Sequence, residues 1–541
     1  MRLLIKLAFA SVAFSAQAQV LQAPIVKEPV LRAHLAFLAD DLLEGRGTGQ
    51  RGGDLTVAYL ESQAKLIGLQ PLYPQQASPY RQAVKLIGSQ TLPSSLIQLS
   101  VAGKTISPEL GAEVLVSATN GSTQGIVNAP VVFVGYGVRA PEEQWDDYKG
   151  QDLRGKFLIM LANDPQPTAE HPQRFAGKAM AYYGRWTYKF EEAKRQGAAG
   201  VLILHTTESA AYEWNVPQTS FSHERFNLAG AGNAVEGWWR EESAKSFFQL
   251  AGFDLASLRA AAERSDFNPV LLPAQIQINM QSKVRQVEQF NVMGMVPGTD
   301  PKLKHEAVIY SSHWDHLGIV EEVGKPAQIW NGAIDNASGT AALLAMAQEA
   351  VKRPAKRTQL FLWPAAEEQY LLGSLAYVRE PAWPLKDTIA DLNLDSMNFV
   401  GKTKDIGIAG SERSTLYDSA LKVAKKMQLA IAPPVLDLGG AFYRADHFSF
   451  ARVGIPAFNV GSAVFSGDGH FHYQHEPEQS AKKMKHFKND YHTPRDRYDA
   501  SWDLDGMQQQ AQFTLELGYE LANAKTKPKW RVGDPFAKLR P

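Results

Sequence analysis

Hydrophobic positions fall into two textures along this chain. In the second half, short apolar runs alternate with stretches of helical spacing. Val308-Ile309-Tyr310-Ser311, Gln359-Leu360-Phe361-Leu362-Trp363, Ile389 to Leu394 and Ala457-Phe458-Asn459-Val460 read as buried strands. Between them, stretches near 340–352, 373–379 and 415–427 read as helices, as does Met507–Ala522 further on. Strands alternating with helices predict an α/β fold: a mixed, mostly parallel sheet flanked by helices, with its ligand site beyond the carboxyl ends of the strands. From about 120 to 280 the runs are shorter. Val131-Val132-Phe133-Val134, Phe157 to Leu161 and Gly200 to Leu204 predict strands, Lys189–Gln196 a helix, and charged and aromatic residues dominate to about 265. This block reads as a β-rich module inserted in the chain. The expected division is a leader at 1–18, a first catalytic part at 19–115, the insert at 116–285 and the main catalytic part at 286–541.

One stretch departs from simple alternation. Asn331-Gly332-Ala333-Ile334-Asp335-Asn336-Ala337-Ser338-Gly339-Thr340 sets one acid among small residues, just before an Ala/Leu-rich run. In that run Leu343, Met346, Ala347 and Ala350 have the spacing of one buried helix face, and Asn336 or Ser338 can cap its start. Asp335 therefore lies on a loop that can aim a carboxylate into a cleft. Near the N-terminus, residues 28–70 read as helical with a Gly-rich break, the second helix running from Asp54 to Leu66 and ending at Gly68. The Gly45-Arg46-Gly47 cluster has neither the Gly-Lys-Ser/Thr ending nor the preceding strand of a phosphate loop.

Composition narrows the chemistry. The chain has 541 residues, enough for two or three domains. Its 56 basic and 56 acidic side chains give no sign of a nucleic-acid partner. With no cysteine, disulfides and thiolate metal sites are excluded, and any metal must be held by His, Asp and Glu. Arg2 and Lys6, the apolar Leu7 to Phe14 and the Ala16-Gln17-Ala18 sequence read as a secretory leader cleaved after Ala18. That apolar run is too short to span a membrane, so the expectation is a periplasmic or secreted protein with no membrane span in the mature chain.

Polar residues cluster at the predicted strand ends. The first strand is followed by Ser312-His313-Trp314-Asp315-His316, the second by Glu367-Glu368, and the third ends at Asp395; Tyr491-His492-Thr493-Pro494 lies far downstream. Each alone has an ordinary reading as a loop histidine, a solvated acid pair or a helix cap. Together they match the needs of two divalent cations about 4 Å apart, which require a bridging carboxylate. Asp335, Glu368 and Asp395 supply acid ligands, and His313 and His492 supply nitrogen. Asp315 is spaced to accept the second N–H of His313. Glu367, left without a metal, can act as general base.

These motifs resemble the co-catalytic zinc aminopeptidases of peptidase family M28. The similarity rests on Ser312–His316, Gly332–Gly339, Ala366-Glu367-Glu368 with Gly373-Ser374, Asn393-Leu394-Asp395 and Tyr491–Pro494. Residues 34–69 also look like the family's N-terminal region. Val134-Gly135-Tyr136-Gly137 and Asp146-Asp147-Tyr148 resemble the protease-associated domain inserted in many members. The resemblance implies a zinc-peptidase fold, two Zn2+ per chain and peptide substrates. It implies that His313, Asp335 and Asp395 hold one zinc, that Asp335, Glu368 and His492 hold the other, and that Glu367 is the base. It further implies that Tyr491 stabilises the oxyanion and that the Asp335–Asn336 peptide is cis. Family members often have Gly where Tyr370 stands and Ser where Ala445 stands, which bears on the substrate pocket rather than the ligands. His470, His472, His475 and His486 read as a solvated loop.

Three alternatives remain beside an aminopeptidase. A glutaminyl cyclase of the same fold needs only one zinc. A receptor-type binding protein would have lost ligands, whereas all five and the base are present. A carboxypeptidase of the same family is the nearer competitor. Relatives of that type carry a large helical domain after the last His, where this sequence has only about fifty residues.

Overall fold

The computed structural model describes residues 23–540 except 231, 322–325, 409, 433–435 and 462–476. The expected leader, and three of the four histidines read as a solvated loop (His470, His472 and His475), lie outside the described residues. The chain opens with α1 (Glu28–Leu38) and α2 (Arg51–Ile67), joined by a tight turn. α2 begins ahead of the expected Asp54 and takes Gly52 and Gly53 into its first turn. A Cβ on Gly52 would stand 2.0 Å from the Leu43 carbonyl oxygen, and one on Gly53 2.7 Å from that of Gly47. The glycines thus serve close approach between helix and turn. Gly68 ends α2 in the left-handed conformation, as expected.

β1 (Arg81–Thr91) leads into the second region, built from β2 (Val114–Ser117), β3 (Gln124–Phe133), β4 (Phe157–Leu161), α3 (Trp186–Arg195), β5 (Gly200–His205) and β6 (Glu236–Arg240). β3, β4, β5 and β6 run parallel to one another, and β2 closes the edge antiparallel to β6. The return strand, β7 (Val270–Val296), is 27 residues long and serves both regions. Its first half pairs with β3, its middle with β1, and its last residues with β9 (Thr358–Trp363), all antiparallel. The position expected to begin the main catalytic part, 286, therefore falls inside one continuous strand.

β8 (Ala307–Ser311), β9, β10 (Thr388–Asn393) and β11 (Ala457–Asn459) form the parallel part of the other region. Along the main path of this 14-stranded sheet the order is β11-β10-β8-β9-β7-β3-β4-β5-β6-β2, with β1 branching from β7. This is the mixed, mostly parallel sheet that the alternating pattern predicts. Side chains on successive strand positions enter opposite faces. Tyr310, Phe361 and Trp363 join the larger core, with Ile309, Leu360 and Leu362 on the other side. α5 (Leu372–Arg379) covers that second face, and α6 (Leu416–Lys426) packs on α8 (Asp505–Asn523) against the first.

α4 (Ser338–Ala350) is the central helix of the first face and packs against α1, α2, α8 and β9. One buried stripe is expected, yet every residue of α4 except Gln348 is buried. Helices on its outer side as well as the sheet on its inner side enclose it, which accounts for the unbroken apolar run from Ala341 to Ala347.

Candidate active site

The strand ends deliver the polar residues to one place. β8 leads into His313, Asp315 and His316, β9 into Glu367 and Glu368, and β10 into Asp395. Asp335 comes from the turn preceding α4, and His492 from the loop after α7 (Pro477–Asn489). His313 Nε2 lies 3.4 Å from Asp335 Oδ1, 3.5 Å from Asp395 Oδ1 and 3.9 Å from Glu367 Oε2. His492 Nε2 lies 3.0 Å from Asp335 Oδ2 and 3.3 Å from Glu368 Oε2. Asp335 thus turns one oxygen to each histidine, the disposition of a bridging carboxylate.

These spacings fit metal ions better than hydrogen bonds. Ligand atoms bound about 2.0–2.1 Å from a tetrahedral ion stand roughly 3.3 Å apart. Most of the separations are close to that, and His313 Nε2, although buried, has no hydrogen-bond partner among the described residues. Two groups of donor atoms could each hold a cation: His313, Glu367 and Asp395; and His316, Asp335, Glu368 and His492. The electrostatics agree. Burial pushes Glu367 well above the ordinary carboxylate range. Burial also opposes charge on Asp335, yet the facing imidazoles of His313 and His492 hold it well below that range. Glu368 is likewise held down to about 2 against burial, chiefly by the charge of His492. Four carboxylates against so few cations form a site that calls for positive charge.

The backbone is shaped around these groups. The Asp335–Asn336 peptide is cis, as the resemblance implies. Asn336 donates to Ser312 Oγ and the Leu394 carbonyl and accepts the Gly339 N–H, tying the turn to β8, to the end of β10 and to the start of α4. Asn336 therefore takes the capping role, while Ser338 donates back to the Ile334 carbonyl. Fully buried Asp496 accepts the N–H groups of Ile334 and Asp335.

Two expectations need correction. His313 Nδ1 bonds the carbonyl oxygen of Asp315 at 3.1 Å, while the Asp315 carboxylate stands 3.8 Å away. That carboxylate instead accepts the Glu367 N–H at 3.0 Å and lies 3.4 Å from the Glu368 N–H, so it anchors the Glu367-Glu368 turn. Two residues of separation bring the Asp315 main chain nearer to the imidazole than its side chain. His486 sits in α7, largely buried, its ring against Phe399 and Nε2 3.5 Å from Asp496, so it is not part of a solvated loop. Tyr491 stacks on the His492 ring with centroids 3.9 Å apart and lines the same cavity.

Sequence reasoning assigned no role to His316 or to Arg46. His316 Nδ1 lies 2.6 Å from Glu368 Oε1, which fixes that carboxylate and leaves its other oxygen towards His492. Its signal was present as a second histidine after the His313-Trp314-Asp315 run. Arg46 is fully buried and donates to the carbonyls of Trp314, Leu38, Asn331 and Gly332. The Gly-Arg-Gly cluster is thus a cradle in which the arginine gathers main-chain oxygens behind the acids. Tyr370 has φ +74, a left-handed conformation that favours glycine, consistent with the residue common at this place in the resembled family.

Residues 291–517 match the profile of Peptidase family M28. Those residues are the M28 region of the chain, so named for the match. The chain is also similar to leucine aminopeptidase 1 of Leptosphaeria maculans, 28% identical over 250 residues, 44% of this chain and 57% of that one. Leucine aminopeptidase 1 of Uncinocarpus reesii is 26% identical over 396 residues, covering 71% of this chain and 86% of its own. This chain spans only a little over half the length of the Leptosphaeria relative. Among solved structures, an aminopeptidase from Aneurinibacillus sp. strain AM-1 aligns over 93% of this chain and 95% of its own, with TM-score 0.52 and 20% identity. That likeness speaks to the fold, and it extends over the second region as well as the M28 region.

Proposed function

We propose that this chain is an exported aminopeptidase that removes N-terminal residues from peptides with the help of two zinc ions. The observation that carries the reading is Asp335, whose two oxygens face His313 at 3.4 Å and His492 at 3.0 Å within an M28 region. His313, Asp335 and Asp395 would hold one ion; Asp335, Glu368 and His492 would hold the other. Bound there, the ions would supply the charge that makes water nucleophilic near neutral pH and stabilises negative charge on the scissile carbonyl. Glu367 takes the proton that water loses as its oxygen bonds to the carbonyl carbon. It then delivers that proton to the leaving nitrogen as the C–N bond breaks. Burial, which pushes Glu367 upward, suits a carboxyl that must carry a proton between steps. Tyr491 donates to the carbonyl oxygen as it becomes anionic. In this reading residues 116–285 are a protease-associated insert that walls one side of the cleft, and residues 1–18 direct export.

Substrate polarity tests the proposal. Zinc-loaded protein should cleave peptides with a free α-amine, and acetylating that amine should abolish cleavage. Amidating the C-terminus should leave cleavage in place. Loss of all cleavage on amidation, with acetylated peptides still cut, would make the enzyme a carboxypeptidase.

A further inference from the structure

The cavity of about 3050 Å3 that contains Glu367 and His492 extends to a pair of arginines, Arg185 and Arg444. Arg185 immediately precedes α3 in the second region, and Arg444 belongs to the M28 region. The two side chains converge on one oxygen. Arg185 Nη1 donates to the Gly439 carbonyl at 3.2 Å, and Arg444 donates to the same oxygen from Nε at 3.1 Å and Nη2 at 2.7 Å. Gly440, beside that carbonyl, has φ +66, which favours glycine, and a Cβ there would meet Arg185 Cδ at 3.0 Å.

Among the described residues, neither guanidinium forms an ion pair with an acid. Arg185 is only 8% exposed, and its Nε–H has no partner. The carboxylate felt most by Arg185, after the Tyr212 phenol, is that of Asp437, which is taken up by the N–H groups of Ala441 and Phe442. Burial and then the like charge of Arg444 pull the Arg185 guanidinium down to about 9, as befits a cation without a counter-ion. Holding two like charges together, one of them buried, is unfavourable unless an anion joins them. Guanidinium forks are shaped for carboxylates.

A ring contact links the neighbours of the pair to those of the acids. Trp186, next to Arg185, packs edge-on against Tyr370 with centroids 4.4 Å apart, and Tyr370 lies two residues beyond Glu368. The acids around Glu367 and this arginine pair line one cavity, which suits a zwitterionic ligand whose amine end lies at the acids.

Resting on the aminopeptidase reading, we propose that Arg185 and Arg444 form a carboxylate subsite for the part of the peptide beyond the scissile bond. The carboxylate is either the C-terminus of a short peptide or an acidic side chain. The enzyme therefore prefers small peptide acids to neutral ones.

The test uses zinc-loaded wild type, R185Q and R444Q with four substrates: Leu-Gly-Gly as acid and as amide, and the amides of Leu-Glu-Gly and Leu-Gln-Gly. Charged hydrogen bonds of this kind correspond to a KM lower by roughly 10- to 100-fold for the carboxylate-bearing member of a pair, with similar kcat. A preference within the first pair identifies the C-terminus, and one within the second the side chain. The preference should collapse in both variants; Arg444 is exposed, which makes R444Q the safer variant for folding. Calorimetric binding of Leu-Gly-Gly acid and amide to E367Q separates this inference from the activity. An acid preference in binding supports the subsite even if wild type fails to turn the peptides over. Turnover without preference, or a preference that both variants retain, overturns the subsite and leaves the aminopeptidase reading intact.

Discussion

Glu367 and Glu368 are neighbours in sequence with different surroundings. Glu368 is gripped by His316 at 2.6 Å and faces His492 at 3.3 Å. Glu367 has His313 Nε2 at 3.9 Å and, among the described residues, no comparable grip on its side chain. Substituting each should therefore do different things. Glu367→Gln keeps size and some hydrogen bonding but cannot accept a proton. It should retain zinc and KM and lose kcat by about 10²–10⁴-fold. Glu368→Ala should lose zinc and activity together. Metal analysis alongside steady-state kinetics checks both, and near-normal kcat in Glu367→Gln would remove it as the base. At this scale the sequence was informative because ligand chemistry restricts residue types: the residues it singles out do converge. Asp315 and His316 were less legible. A spacing of two residues says that Asp315 is near His313, but not whether its main chain or its carboxylate makes the bond. Nothing in the spacing of His316 foretells its bond to Glu368, which arrives from another strand.

At the scale of elements, the turn carrying Arg46 ties together segments that support the site. Its guanidinium joins α1, the Trp314 segment and the Asn331-Gly332 entry to the Asp335 turn through four carbonyls. Each buried carbonyl left unpaired costs about 1–3 kcal/mol. Arg46→Met, which conserves much of the volume, should thus lower unfolding free energy by at least roughly 3 kcal/mol and weaken zinc retention. Urea denaturation and metal content measure the two effects; a loss below about 1 kcal/mol would show that water replaces the cradle. The elements themselves were legible where apolar runs are bounded by turns, as for β8 to β11. β7 was not, because its pattern changes along its length. Its first half alternates buried and exposed positions, while Val292, Met293 and Gly294 are buried in succession. One strand serving two environments reads as two segments. The start of α2 was missed for a related reason, since glycines that break an exposed helix are favoured where another backbone passes at contact distance.

For the whole molecule, the site lies where contributions far apart in sequence meet. The Asp335 turn, three strand ends and the loop of His492 each bring charge, and no single one of them would hold a dication. Asp335, Glu367, Glu368 and Asp395 are close together around His313 and His492, so the folded chain concentrates negative charge in a largely buried place. An ion that binds this arrangement and not the unfolded chain stabilises the fold by about 4 kcal/mol for each site when free ion exceeds Kd roughly 1,000-fold. We therefore expect active protein to contain two zinc ions per chain. Chelation should abolish activity and lower Tm together, and returning zinc should restore both, with Tm rising further as free zinc increases. Elemental analysis and thermal melts across a zinc titration provide the measurements. One ion in fully active protein would leave either His313 or His492 without its proposed partner. A Tm indifferent to chelation would mean that the acids are already neutralised by protons and histidines, and that zinc adds nothing to the stability of the fold.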